Sequence, residues 1–76
     1  MAAKLRPLHW KDVATVLRRL GYTHHRTKGS HAIYVKSGQA MHVTLVQKKE
    51  IPVGTLKNII RQIGIETEAF MALLNQ

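Results

Sequence analysis

Residues 22–46, YTHHRTKGSHAIYVKSGQAMHVTLV, decide the fold class of this chain. The stretch contains three segments rich in β-forming residues, and short turns separate them. The turn signals are Gly29-Ser30 and Ser37-Gly38-Gln39. We therefore predict three antiparallel strands, at residues 22–28, 31–36 and 40–46.

The register of the second and third strands follows from their alternating apolar residues. A hairpin loop at 37–39 would set Val35 opposite Met41 and Ile33 opposite Val43. That register gathers the apolar side chains on one face, which we predict to be the core face. Tyr34 would then point to the other face, which would stay open to solvent. The predicted core face consists of Ile33, Val35, Met41, Val43 and Leu45.

Two amphipathic helices flank the predicted strands. Before them, Val13, Val16, Leu17 and Leu20 follow the i, i+3, i+4, i+7 pattern of one helix face. We predict a helix from Leu8 to Leu20, and Gly21 is a typical residue just past a helix end.

A second helix follows the polar loop at 47–53. Gly54-Thr55 opens it and Gly64 closes it. Thr67 can cap a short final helix. The apolar stripe of the second helix is Leu56, Ile59, Ile60 and Ile63.

The predicted class is α+β, in the order α-β-β-β-α with a short C-terminal helix. Two helices would cover one face of a three-stranded antiparallel sheet, since each has a single apolar stripe. The other sheet face would then be available to a partner. The domain would span 8–76, after a flexible basic lead-in at 1–7.

The charge balance indicates a polyanionic partner. The 76 residues include 12 Lys and Arg but only 4 Asp and Glu, so the net charge is +8. The electric field of so positive a small domain concentrates phosphates near its surface. These phosphates would belong to a nucleic acid or to an anionic membrane surface. With no Cys, the chain has no disulfide and no cysteine zinc site. No membrane span and no signal peptide are expected, and the expected location is the cytoplasm.

One of the five histidines has neighbours suited to acid–base catalysis on a phosphate ester. His31 follows the Gly29-Ser30 turn and lies near Arg26 and Lys28. An imidazole can take a proton from a ribose 2′-OH while the cations hold the phosphate. By strand alternation, however, His31 shares the face of the predicted core residues, so a histidine at the core edge is the alternative. No histidine spacing predicts a metal site, and no cofactor is expected.

Several local strings resemble the HicA toxin family, also called YcfA-like proteins. The resemblance covers about residues 8–74, nearly the whole chain. Gly64, which closes the predicted second helix, adds to the resemblance. The strings are RTKGSH at 26–31, KEIPVGTLK at 49–57, IRQIGI at 60–65 and EAF at 68–70.

The resemblance implies a fold similar to the double-stranded RNA-binding domain and an activity as an mRNA interferase of a toxin–antitoxin module. The family's catalytic histidine corresponds to His31. The implied partner is a HicB-like antitoxin that covers the active site, and operator DNA would be reached only through it. The expected RNA contacts combine the residues just before His31 with basic residues elsewhere in the chain. They are Arg26, Lys28, Gly29, Ser30, Lys36, Lys48, Lys49 and Lys57.

The chain departs from the family pattern directly after His31. Many members have a second histidine there, whereas this chain has Ala32. The general acid is therefore not identified. The expected function is a metal-independent endoribonuclease that cleaves mRNA, with His31 as general acid or base. A non-catalytic RNA-binding module of the same fold and a subunit for protein assembly remain as alternatives.

Overall fold

The computed structural model describes residues 4–76. Its elements follow the predicted α-β-β-β-α order, and the α+β class is confirmed. The three strands form one antiparallel sheet in the order β1-β2-β3. The elements are α1 (Trp10–Arg19), β1 (Thr23–Lys28), β2 (His31–Val35), β3 (Val43–Val46), α2 (Val53–Ile63) and α3 (Thr67–Leu74).

Helix α1 is shorter at its N-terminus than its apolar pattern predicts. Leu8 is not helical, because it pairs with Ile51 in an isolated antiparallel bridge. His9 caps the helix, and its Nδ1 accepts a hydrogen bond of 3.1 Å from the main-chain N–H of Lys11. At the other end, Gly21 has a φ of +97°, a conformation that favours glycine. The predicted role of Gly21 at the helix end is confirmed.

The predicted register between β2 and β3 is wrong by one residue. Ile33 lies opposite Thr44, and Val43 lies opposite Tyr34. A slip of one residue exchanges the two faces of a strand. Ala32 and Tyr34 therefore face the core, while Ile33 and Val35 lie half-buried on the other face.

The length of the connecting loop explains this difference. Residues 36–42 separate β2 from β3, whereas the prediction allowed only 37–39. The longer loop leaves Met41 outside the strand, where 70% of its surface is exposed. It also lets Tyr34 bury a large aromatic ring at 4% exposure. Of the residues predicted for the core face, only Val43 and Leu45 are in the core.

The core lies between the sheet and the helices. Leu17 of α1, Leu45 of β3 and Leu56 of α2 are all fully buried in one apolar cluster. Helices α1 and α2 both pack against β3, and α3 packs against α1 and α2. Phe70 brings α3 into the same cluster. The helices thus cover the sheet face of Ala32 and leave the opposite face uncovered; we call that opposite side the open face.

Helix α3 is also joined to α1 by a polar contact. The Arg19 guanidinium donates to the main-chain oxygens of Leu73 and Gln76. The last carbonyls of a helix have no partner within the helix, so this arginine satisfies groups at the end of α3.

The predicted lead-in at 1–7 falls partly outside the described residues, since these begin at residue 4. Within residues 4–7, Leu5 is half-buried against the core. Among residues 4–76, no helix has the length and hydropathy of a membrane span.

Candidate nucleic-acid interface

The hairpin turn between β1 and β2 presents His31 at one end of the sheet. Only Gly29 and Ser30 separate Lys28 from His31, and these two residues pair directly across the strands. Gly29 has a φ of +62°, as the first position of a type II′ hairpin turn requires. Both His31 and Lys28 are exposed. A short loop with defined geometry therefore fixes the histidine beside a lysine.

His31 lies on the open face. It shares the face of Ile33, as strand alternation predicts, but that face is not the core. The alternative of a histidine at the core edge is thereby excluded. Val46 of β3 lies directly opposite His31 on the other side from Lys28, so these three form one row across the sheet. Directly opposed residues have Cβ atoms about 5 Å apart, so the lysine and the imidazole are neighbours.

The next row of the open face carries a second cation. Arg26 pairs with Ile33, and Ile33 pairs with Thr44 on its other side. Arg26 and Lys28 therefore stand on the same face and the same strand, with His31 beside them. An arginine and a lysine at this spacing can hold two oxygens of a phosphate, or two successive phosphates.

A β-bulge selects which β1 side chains share this face. The register shifts between His24 and Arg26, so His25 is an extra residue in β1. His24 pairs with Tyr34 and so faces the helix side of the sheet. Its Nε2 lies 2.6 Å from the Thr27 hydroxyl. Without the bulge, His24 would lie on the same face as Arg26, two positions along the strand. The bulge puts the histidine on the opposite face from the cations.

The end of β3 lies at the same end of the sheet as His31. The Gln47 N–H donates to the Ser30 carbonyl at 2.8 Å, which extends the β2–β3 ladder into the hairpin turn. The chain then bends, since the Lys48 N–H donates to the Val46 carbonyl at 2.8 Å. Lys48 and the next residue, Lys49, are exposed beside the turn. The sequence predicted both as RNA contacts, and the fold brings them to the His31 end of the sheet.

Two other predicted contacts lie elsewhere. Lys36 follows the last residue of β2, and its ammonium stands 5.7 Å from the centre of the Tyr22 ring. Five strand residues separate Lys36 from His31's end of the sheet, which is roughly 17 Å. Lys57 is exposed on α2, in the helix layer. The structure thus brings Arg26, Lys28, Gly29, Ser30, Lys48 and Lys49 to His31, but not Lys36 or Lys57.

Position 32 does not belong to this surface. Ala32 is fully buried and faces the helices. A side chain at this position points away from His31, whatever its chemistry. The alanine therefore removes no group from the open face of this chain.

The site is a shallow, charged surface. Within the part of the chain that the structure describes, there is no cavity and no buried charged side chain. The described residues likewise contain no group of three His, Cys, Asp or Glu able to hold a metal ion. Such a surface suits an extended anionic polymer better than a small enclosed ligand.

Fold and site together define a small basic α+β domain with one exposed histidine among cations on an open sheet. Comparison with protein families identifies the family of this domain. The sequence model of the family described as the HicA toxin of bacterial toxin–antitoxin systems matches residues 10–65. The chain belongs to the HicA toxin family and is a toxin of a toxin–antitoxin system. Toxins of this family are generally ribonucleases, and membership implies a cognate antitoxin. Comparison with curated proteins gives no match.

Sequence reasoning missed one residue at this end of the molecule. The main-chain N–H of Trp10 donates to the Lys48 carbonyl at 3.0 Å. This bond brings the start of α1 beside residues 47–49, which we call the basic loop. Trp10 precedes Lys48 by 38 positions, so only the tertiary fold brings them together. The available signal was compositional: this is the single Trp of the chain, and it lies between His9 and Lys11.

Proposed function

We propose that this toxin is a metal-independent endoribonuclease that cleaves mRNA and so inhibits translation, with His31 as general acid or base. One observation carries the proposal: His31 is exposed on the open face, directly opposite Lys28. The pairing sets a group that can accept a proton beside a group that attracts phosphate. The expected RNA contacts around it are Arg26, Lys28, Gly29, Ser30, Lys48 and Lys49, and Lys36 and Lys57 would meet more distant parts of the RNA.

The proposed reaction uses the ribose as its own nucleophile. His31 takes the proton from a 2′-OH, and the 2′-oxygen forms a bond to the adjacent phosphorus. The bond from phosphorus to the 5′-oxygen of the next nucleotide breaks. Arg26 and Lys28 stabilise the negative charge that develops on the phosphate oxygens. The products are a 2′,3′-cyclic phosphate and a 5′-oxygen that takes up a proton, from protonated His31 or from water, to become a hydroxyl.

The proposed antitoxin partner is HicB-like and covers the same surface. Its contact region should present carboxylates, because Arg26 and Lys28 have no acidic neighbour in β1, β2 or β3. On the rim, the exposed Lys48 and Lys49 outnumber the exposed Glu50. Operator DNA would be reached only through this antitoxin, and the proposed location is the cytoplasm. Binding of antitoxin and of RNA would then exclude each other.

The experiment is growth after induced expression of wild type, His31→Ala and His24→Ala. His24 is the matched control, because it is an exposed histidine of the same sheet on the opposite face. We expect arrest with wild type and with His24→Ala, and normal growth with His31→Ala. General acid–base catalysis contributes about 10²- to 10⁴-fold, so the histidine variant should retain little activity.

Two outcomes would contradict the proposal. Arrest by His31→Ala at the wild-type level would separate toxicity from this histidine. Normal growth with folded wild type, together with RNA binding in vitro, would instead favour a non-catalytic RNA-binding module. Co-expression of a neighbouring antitoxin gene should restore growth in the strain that expresses wild type.

A further inference from the structure

Trp10 is an aromatic side chain that the core only partly accommodates. The chain has four Phe, Trp and Tyr residues. Three of them are at most 4% exposed, whereas Trp10 is half-buried and packs against the edge of the core. Part of its indole surface therefore faces solvent. The three buried aromatic residues are Tyr22, Tyr34 and Phe70.

Cationic and aromatic groups surround the indole. The Lys11 ammonium stands 5.9 Å from the ring centroid, near the outer limit for a cation–π contact. The His9 ring lies 6.0 Å away, centroid to centroid, at an interplanar angle of 31°. The hydrogen bond to Lys48 fixes the Trp10 main chain against the basic loop. Lys11, Lys48 and Lys49 are all exposed.

The same hydrogen-bond chain connects Trp10 to the candidate catalytic end of the sheet. Ser30, beside His31, accepts a bond from Gln47, and the next residue, Lys48, accepts a bond from Trp10. The main chain of the basic loop is thus bonded to Ser30 in the hairpin turn and to Trp10 at the start of α1. An RNA strand with its phosphates on this loop would lie near both the hairpin turn that carries His31 and the start of α1.

We propose that Trp10 is a nucleobase-stacking residue: it binds a base of the RNA near the cleaved nucleotide, while Lys48 and Lys49 hold the phosphate between them. An indole in a basic setting is how sequence-tolerant single-strand binders hold bases, since every base offers a π-face. The open face carries no Phe, Trp or Tyr side chain in the described strands, and Trp10 is the one residue of these types that is not buried. This inference rests on the proposed ribonuclease function, because it assigns a second subsite of the same RNA.

The single tryptophan makes the first test direct. Fluorescence of the full-length His31→Ala protein, which should cleave at least about 10²-fold more slowly than wild type, is followed during titration with an RNA oligonucleotide. A ribose-phosphate oligomer of equal length without bases is the control. We expect both to bind through the cations, but only the RNA to quench Trp10, because quenching requires a base against the indole. Equal quenching by both oligomers, or by neither, would overturn the stacking proposal.

The second test separates stacking from packing. In the His31→Ala background, Trp10→Phe keeps an aromatic face, whereas Trp10→Leu keeps apolar bulk against the core without one. Loss of a stacked base weakens binding roughly 5- to 150-fold. We expect that loss for Trp10→Leu and a much smaller one for Trp10→Phe, measured with labelled RNA. Equal affinities of the two variants would overturn the proposal. If Trp10→Leu does not fold, the quenching comparison decides alone.

The two proposals fail in different ways. If only Trp10 is misassigned, wild type still cleaves RNA in a His31-dependent manner, whereas RNA and the base-free oligomer change Trp10 fluorescence equally. If the protein is not a ribonuclease, wild type leaves the RNA intact even where Trp10 is quenched. If neither oligomer binds, both proposals are wrong.

Discussion

Position 32 shows how strand alternation limits what one residue can contribute. Ala32 is fully buried under the helices, while its neighbours His31 and Ile33 face the other side. A histidine at position 32 of this chain would enter the core. Reactive groups on the open face must therefore come from residues two positions along the strand from His31, or from residues opposite it on the neighbouring strands.

We accordingly predict unequal effects for two histidine substitutions. Ala32→His overpacks the core, which typically costs about 1–3 kcal/mol, and also buries a polar ring. Ile33→His adds the same group on the half-buried open face and should cost less. Urea unfolding of both variants measures the difference. Higher stability of Ala32→His than of Ile33→His would contradict the assignment of the two faces.

His9 is an unusual helix cap, and its contribution can be measured. Its Nδ1 accepts from the Lys11 N–H, and α1 has no other side-chain cap at this end. Loss of an N-cap costs about 0.5–2 kcal/mol. We expect that decrease in unfolding free energy for His9→Ala. His9→Asn, which can accept the same bond, should remain near wild type; an equal loss in both would show that the cap contributes nothing.

At the scale of elements, the helices could be predicted from sequence more fully than the sheet. The stripe of α1 and the glycines that end α1 and α2 are local features, and both glycines have the positive φ expected. The faces of β2 are not a local feature. Both faces of β2 are apolar: one carries Ala32 and Tyr34, and the other carries Ile33 and Val35. The strand pattern alone therefore does not show which face lies in the core. The length of the 36–42 loop decides which set faces the core, and no turn signal within these residues predicts that length.

The inverted faces of β2 give a direct stability test. Tyr34→Ala removes a ring that is 4% exposed and should cost about 3–5 kcal/mol, as buried aromatic deletions do. Val35→Thr changes a half-buried open-face residue and should cost less than about 1 kcal/mol. Thermal and urea unfolding report both. The register with a 37–39 loop requires the reverse order, so a larger loss for Val35→Thr would contradict the observed sheet.

At the scale of the molecule, the site combines a local part and a tertiary part. His31, Lys28 and the glycine turn lie within four positions, so the sequence sufficed to select them. The face on which they stand, and the approach of Trp10 to Lys48, depend on packing between distant segments. Sequence reasoning could therefore predict the candidate histidine but not its surroundings.

The net charge of +8 predicts a strong salt dependence of RNA binding. Removal of one cation that binds a phosphate should reduce the slope of log affinity against log salt by about 0.7 for a single strand. Lys48→Gln with Lys49→Gln should therefore lower the slope by up to about 1.4. Arg18→Gln with Arg61→Gln removes equal charge from exposed positions of α1 and α2, and should lower it less. Equal slopes for both double variants would argue against a defined phosphate path at the basic loop.

If His31 catalyses attack by the ribose 2′-OH, as we propose, the cut RNA must carry the chemical ends of that reaction. Purified wild type, His31→Ala and His24→Ala are incubated with one RNA, with and without EDTA. We expect 2′,3′-cyclic phosphate and 5′-hydroxyl ends from wild type and His24→Ala, unchanged by EDTA. We expect at least about 10²-fold slower cleavage by His31→Ala. Ends with 3′-hydroxyl and 5′-phosphate, or undiminished cleavage by His31→Ala, would contradict this mechanism.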